Sequence, residues 1–442
     1  CDPGNLKDRR SDASTETCNT RNMLRLTKKL YAQTGDAKYP AYFEQALFNH
    51  ILPSIDVSDN LDALFTYFVP MNSGGFRTYS DRYHSWTCCH GTGMENHVQY
   101  NGVIYYREKT DDGDVLLVNL TIPSVLDWAE KGVKVSVLAD GKIEIDAAKA
   151  TKLVVKYRVP NNCVAEGAEN GYLTLGEEWE GKTTIAPKIT ENWRLLPLPG
   201  DDTRAAFFRG PWLYAGNLGP KDKPVVANFA ADPDPNAVNV PVVVGFDFND
   251  WAKADKPVLD SARPEAVELT PFYKATNRYE VYFRFYNEEV WNAERAKFVA
   301  EQARLAKIAA ATVDSFQPGE MQQERDCEFS GVKSSFGEYN GRKWRDARDG
   351  GSMEFSMNVE PEKDCVLAIT YWGSDSGGRI FDVIINGEKV ATTDLNNNRP
   401  GRFYDEYYAI PNPEKKDRVH VKLQAHPGAI AGGFFFAKTL RA

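Results

Sequence analysis

A chain of 442 residues, 42% hydrophobic and 12% aromatic, can build sizeable cores, which excludes disorder as its default state. A formal charge of −9 without long Lys/Arg runs argues against a nucleic-acid partner and fits a neutral ligand such as a sugar. Seven irregularly spaced cysteines are no disulfide scaffold, and no apolar run approaches the ~20 residues of a membrane span. The length suggests about three domains of ~100–200 residues each. The opening Cys1-Asp2-Pro3-Gly4, with no initiator Met and no signal peptide, reads as the interior of a longer protein.

Taken in order, residues 18–34 carry Met23, Leu24, Leu26, Leu30 and Tyr31 at helical spacing, and Thr34-Gly35-Asp36 predicts the stop. A second helix with Ala41, Phe43, Ala46, Leu47 and Ile51 runs to Pro53, so the two predict an αα-hairpin. Residues 53–90 read as an aromatic-rich loop. A third helix is expected from about Gly93 through Met94, Val98, Val103 and Ile104. After Asp111-Asp112-Gly113 the period falls to two: Val115–Val118, Val133–Val137 and Leu153–Tyr157 are strand-like. Strand signals continue to Tyr214, and the Pro, Asp and Ala of 218–240 read as a linker. A few strands follow in 241–286, then one helix over 287–312. From 313 the chain is β again, with turns such as Ile385-Asn386-Gly387, and no long helix is expected there. There is no sequence repeat and no low-complexity tract.

Two short motifs carry the chemistry: Glu16-Thr17-Cys18 before the first helix, and Trp86-Thr87-Cys88-Cys89-His90-Gly91-Thr92-Gly93 before the third. Three thiolates and one carboxylate would complete a four-coordinate shell, and that donor set selects zinc. The spacing alone is equally compatible with two small buried hydrophobes or a strained vicinal disulfide at Cys88-Cys89. His84, His90 and His97 are further ligand candidates, or else cap and core histidines. Tyr67, His84 and His90 are candidates for binding sugar hydroxyls, against packing or capping roles, with Tyr67 also able to stack on a sugar ring. Trp86 is expected beneath the Cys pair, and Glu95 in a solvated or supporting position. Cys163, Cys327 and Cys365 read as inert buried thiols. Trp344, Tyr371 and Trp372 read as a sugar platform or as sandwich core.

Glu16 to Leu24, Thr34-Gly35-Asp36, Tyr42 to Leu52, Tyr67-Phe68-Val69-Pro70 and Cys88 to His97 resemble, in order, glycoside hydrolase families 127 and 146, the β-L-arabinofuranosidases. Trp344-Arg345-Asp346-Ala347, Tyr371-Trp372-Gly373 and Phe381-Asp382-Val383 resemble the C-terminal sandwich of these enzymes, and the accessory domains favour the family 146 side. The resemblance implies a multidomain chain: the C-terminal part of an (α/α)6 barrel in 1–112, a β-sandwich in 113–220, a small α+β domain with its linker in 221–312, and a C-terminal β-sandwich in 313–442. It implies Zn2+ held by Glu16, Cys18, Cys88 and Cys89, with Cys88 as the nucleophile of a retaining hydrolase. On an extended backbone the two adjacent sulfurs would face opposite sides. The family's acid/base is a Glu slightly less than twenty residues before Glu-x-Cys. No Glu precedes Glu16, and Asp2, Asp8 and Asp12 lack that context, so the acid/base is expected upstream of Cys1. The expected partner is an arabinose-containing oligosaccharide or polysaccharide, and the expected compartment is periplasmic or extracellular. The rival reading is a non-catalytic carbohydrate-binding or structural protein in which zinc staples the helices.

Overall fold

Helix α1 (Thr17–Thr34) is the first helix of the computed structural model, which describes residues 6, 9–58, 63–226 and 234–442. Cys1, Asp2 and Asp8 lie outside the described residues, as does part of the 218–240 stretch. The apolar stripe of α1 buries Leu24 and Tyr31. Gly35 ends the helix at φ 67°, a left-handed conformation that costs glycine little, and its N–H closes on the Tyr31 carbonyl. Helix α2 (Lys38–Ala46) continues into a π turn (Leu47–Ile51) and a 3₁₀ turn (Leu52–Ser54), completing the αα-hairpin. Helix α3 (Cys88–His97) starts five residues earlier than the expected Gly93. Extended Thr87 is its N-cap, so Cys88 and Cys89 are its first two residues, and a separate 3₁₀ turn (Tyr100–Val103) follows it.

Strands also begin earlier than expected. Tyr105–Thr110 pairs antiparallel with Gly113–Val118, so the 112/113 boundary falls at the turn of a hairpin. These strands lie in a six-stranded sheet with Ile143–Arg158, Val133–Val137, Ser124–Trp128 and Tyr172–Ile185. The 220/221 boundary is contradicted outright, because it cuts a second sheet. Asp201–Arg209 pairs with Phe283–Tyr286, and Trp212–Gly219 pairs with both Val267–Pro271 and Arg278–Glu280. Neither edge of a strand can be left unpaired inside a core, so 193–219 and 242–286 are one sheet, not two domains. By compactness the chain divides into two units, Cys1–Phe298 and Val299–Ala442, where four domains were expected.

Within the first unit the helices are clamped onto the sheets. Leu24, Phe43, Leu47, Phe48 and Ile51 share a core with Val103, Ile104 and Leu120. Phe48 stacks on Trp212 with ring centroids 4.3 Å apart, a geometry worth ~0.5–1.5 kcal/mol beyond area burial. Asn49 bridges the same strand: its Nδ2 donates to the Pro211 carbonyl at 2.9 Å and its Oδ1 accepts from Leu213 N–H at 2.8 Å. The Glu44 carboxylate, fully buried on α2, pairs with the buried Arg158 of strand Ile143–Arg158 and accepts from Asn161 N–H at 2.8 Å. The loop after α2 is fastened to the second sheet through buried Val69 and by the Tyr279 hydroxyl, which donates to the Pro70 carbonyl at 2.8 Å.

In the second unit, helix Glu288–Ala311, which crosses the boundary between the units, buries none of its residues. The long strand Arg342–Asn358 changes partners along its length. Residues 345–348 pair with Ile430–Arg441, and residues 352–358 with Arg418–Ala425. The sheet thereby folds over one apolar core containing Phe355, Tyr371, Phe381 and Phe434, as expected for a sandwich. Among the described residues after 312, the one α-helix is the six-residue Met321–Asp326. Tyr371 is fully buried in that core, whereas Trp344 and Trp372 stay partly exposed.

Candidate metal and active site

Two helix starts meet at the site. Glu16 is the extended N-cap residue of α1, and an antiparallel bridge to Phe68 pins it beside Tyr67. Cys18 lies in the first turn of α1, and Cys88 and Cys89 open α3. The first-turn N–H groups of both helices lack helical partners and carry partial positive charge, which favours thiolates at these positions. All four donor atoms lie within 4.8 Å of one another. Cys18 and Cys89 sulfurs are 3.1 Å apart, Cys88 and Cys89 sulfurs 4.0 Å, and Cys89 sulfur lies 3.5 Å from Glu16 Oε1. Four tetrahedral ligands at Zn–S lengths of ~2.3 Å stand about 3.8 Å from one another. The donor set and its spacing therefore fit zinc, and this is the one such group among the described residues. All three cysteines are free thiols, so the vicinal disulfide is excluded.

The helical start overturns the expected orientation of the pair. Consecutive helical residues are turned by about 100°, not by 180°, so both sulfurs face the cluster. They differ in burial instead. Cys89 is fully buried and Cys88 is exposed. In the metal-free protein, burial pushes the Cys89 thiol up to about 12, while a hydrogen bond with Tyr67 is the main influence holding the Cys88 thiol below its ordinary value. The Tyr67 hydroxyl is 3.7 Å from the Cys88 sulfur, and this contact pushes the phenol upward in turn.

A cavity of about 690 Å³ lies against this edge of the cluster, lined by Tyr67, Phe68, Phe76, Tyr79, His90 and Asp12 among others. His90 caps α3, accepting from Thr87 N–H through Nδ1 at 3.2 Å, which leaves Nε2 as the ring's free nitrogen. Two expectations meet a different geometry. His84 sits in an exposed turn, 3.3 Å from Asp81, and does not line the cavity. Trp86 does not lie beneath the cysteines: it is 81% exposed and donates to the Tyr83 carbonyl. His97 is outside the ligand group and packs by Phe65 and Tyr100. Glu95 supports from the side, pairing at 2.8 Å with buried Arg21. Thr92, which sequence reading passed over, places its hydroxyl 3.4 Å from the Cys18 sulfur. With α3 starting at Cys88, Thr92 stands one turn further along the same face.

Fold and site together define a helical segment carrying a cluster of three cysteines and one glutamate with donor atoms close enough to hold a metal ion, joined to β-rich domains. Residues 3–102 match the family model of the GH127 catalytic domain of β-L-arabinofuranosidases. Residues 307–440 match a family of unknown function, DUF6805. No curated protein matches the chain. Solved structures similar to it include a GH127 β-L-arabinofuranosidase from Geobacillus stearothermophilus T6, at 13% identity, 63% of this chain, 51% of that one, and a TM-score of 0.44. A second GH127 β-arabinofuranosidase matches at 16% identity, 61% and 49% coverage, and a TM-score of 0.42. A family 35 carbohydrate-binding module from Clostridium thermocellum matches at 13% identity, 29% and 97% coverage, and a TM-score of 0.24. The chain thus spans about half the length of the two arabinofuranosidases.

Proposed function

We propose that the protein is a retaining glycoside hydrolase that removes β-L-arabinofuranosyl residues from plant glycans or glycoproteins, with Cys88 as nucleophile. The observation that carries this reading is the asymmetry of the cluster: Cys89 is sealed in while Cys88 is exposed beside a cavity lined by Tyr67 and His90. Cys88 is the one exposed cysteine of the cluster, in contact with the cavity-lining Tyr67, and that accessibility favours catalysis over the stapling alternative. Bound zinc would keep Glu16, Cys18, Cys88 and Cys89 together and hold the thiols deprotonated at neutral pH.

The Cys88 thiolate attacks the anomeric carbon, and a C–S bond forms as the C–O bond to the leaving group breaks. The leaving oxygen takes a proton, a task that the resemblance gives to a glutamate upstream of Glu16. Water then attacks the same carbon while giving one proton back to that glutamate, now a carboxylate; the C–S bond breaks and the thiolate returns. Two inversions give net retention. Tyr67 steadies the sulfur through its hydroxyl, and His90, which lines the cavity, hydrogen-bonds a sugar hydroxyl there. A haloacetamide-type arabinofuranoside probe followed by peptide mass spectrometry tests the assignment. A label on Cys88 is expected, and a label on Cys89 or on a carboxylate overturns it.

A further inference from the structure

Three thiolates and one carboxylate around a divalent cation carry a net charge of about −2, counting one unit per ligand. The two helix starts offset part of that charge, and the remainder requires hydrogen-bond donors aimed at the sulfurs. The exposed sulfur of Cys88 has the Tyr67 hydroxyl at 3.7 Å. The Cys18 sulfur, on the other helix, has the hydroxyl of Thr92 at 3.4 Å. Thr92 reaches it from α3, so this contact ties together the two helices that hold the ligands.

The Thr92 hydroxyl has one proton and three acceptors within reach. Its Oγ1 is 3.1 Å from the Cys88 carbonyl oxygen and 3.2 Å from the Cys89 carbonyl oxygen, as well as 3.4 Å from the Cys18 sulfur. With Cys18 as a thiol, S–H can donate to Oγ1 while the hydroxyl proton rests on its own helix, the usual habit of helical threonine. With Cys18 as a thiolate, the sulfur only accepts. A bond to an ionised acceptor is roughly twice as strong as a neutral one, so the hydroxyl proton turns to sulfur. The two backbone carbonyls then depend on the helix itself.

We infer that Thr92 is a positioning residue of the metal cluster, whose hydroxyl donates to the Cys18 thiolate and holds α1 and α3 at ligand spacing. This rests on the reading of the four residues as a zinc site. It predicts that the hydroxyl matters and the β-branched shape does not. Zinc dissociation constants for wild type, Thr92→Val and Thr92→Ser, measured by competition with a chromophoric chelator, separate the two. Loss of such a partner typically weakens metal binding ~10–100-fold, which is expected for Thr92→Val, whereas Thr92→Ser should bind as the wild type does. With Co2+ in place of zinc, the sulfur-to-cobalt charge-transfer band should move in Thr92→Val and stay in place in Thr92→Ser. A purely structural role would lower metal-free stability without moving that band. If Thr92→Val does not fold, Thr92→Ala takes its place, with the same outcome expected. Equal zinc affinity and an unmoved band in the hydroxyl-free variant overturn the role of Thr92 alone. A wild-type protein that takes up no zinc overturns the cluster reading beneath it.

Discussion

The Glu44–Arg158 pair fastens α2 to the first sheet, and α1, with Glu16 and Cys18, lies against α2. Side chains at both ends are almost wholly removed from water, at 0% and 2% exposure. Burial raises the Glu44 carboxyl above its ordinary range, and the nearby Arg158 charge only partly pulls it back. The pair is therefore a weak net stabiliser compared with an apolar substitute, but removing one partner leaves a buried charge uncompensated, at a cost of ~3–5 kcal/mol. In Glu44→Ala, Arg158 would keep its bonds to the Asn119 and Val159 carbonyls at 2.7 and 3.0 Å while losing its counter-charge. The expected loss is about 3–5 kcal/mol for Glu44→Ala and similar for Arg158→Met. The double variant should cost less than the two singles combined by at least about 2 kcal/mol, because no charge is then left unpaired. At ~1.6 °C per kcal/mol for a unit of about 300 residues, each single variant should melt ~5–8 °C lower by scanning calorimetry. Singles that cost under about 1 kcal/mol, or a cycle additive to within about 0.5 kcal/mol, would refute the reasoning.

The remaining predictions are smaller in scope. Glu280 is fully buried, accepts a bond from Ser73 at 3.1 Å, and is pushed by burial up to about 7. Its folded state holds the proton longer than the unfolded one, so the protein loses about 3 kcal/mol as pH rises from the ordinary carboxylate range through 7; Glu280→Gln should abolish that slope in urea titrations, and an unchanged slope would count against it. His50 works in the opposite sense: burial holds it down to about 4, so stability falls as pH drops from about 6.5 toward 4. Replacement of His50 by Gln should flatten that acid limb, and a limb of unaltered steepness would rule out His50 as its source. In Gly93→Ala the new Cβ would lie 2.7 Å from the Phe65 ring, so α3 or Phe65 must shift, costing ~1–3 kcal/mol despite alanine's better helix propensity. The same variant should bind zinc more weakly than the wild type in chelator competition, and undiminished affinity would show that α3 had not moved.

That Glu16, Cys18, Cys88 and Cys89 form one cluster was legible in the sequence because donor chemistry is a property of residue type. Glu16, Cys18, Cys88 and Cys89 are soft and hard donors whatever surrounds them, and the family motifs put them in order. The αα-hairpin was legible from its periodicity and from Gly35. The start of α3 was not, because Cys-Cys-His-Gly-Thr-Gly holds two glycines and no amphipathic stripe. Its helicity rests instead on the extended N-cap at Thr87 and on contacts such as that of Gly93 with Phe65. That displacement of five residues hid the common face of Cys88, Cys89 and Thr92, and with it the burial that separates the two sulfurs. Trp86 was misplaced for a related reason: residue type sets what a side chain prefers, not which loop exposes it. The division of 193–286 into two domains failed because strand pairing is long-range. A Pro- and Asp-rich stretch looks like a linker by composition, yet Trp212–Gly219 finds its partners at 267–271 and 278–280, beyond that stretch. Residue chemistry was local and readable; which residues share a wall depended on contacts between segments far apart in the chain.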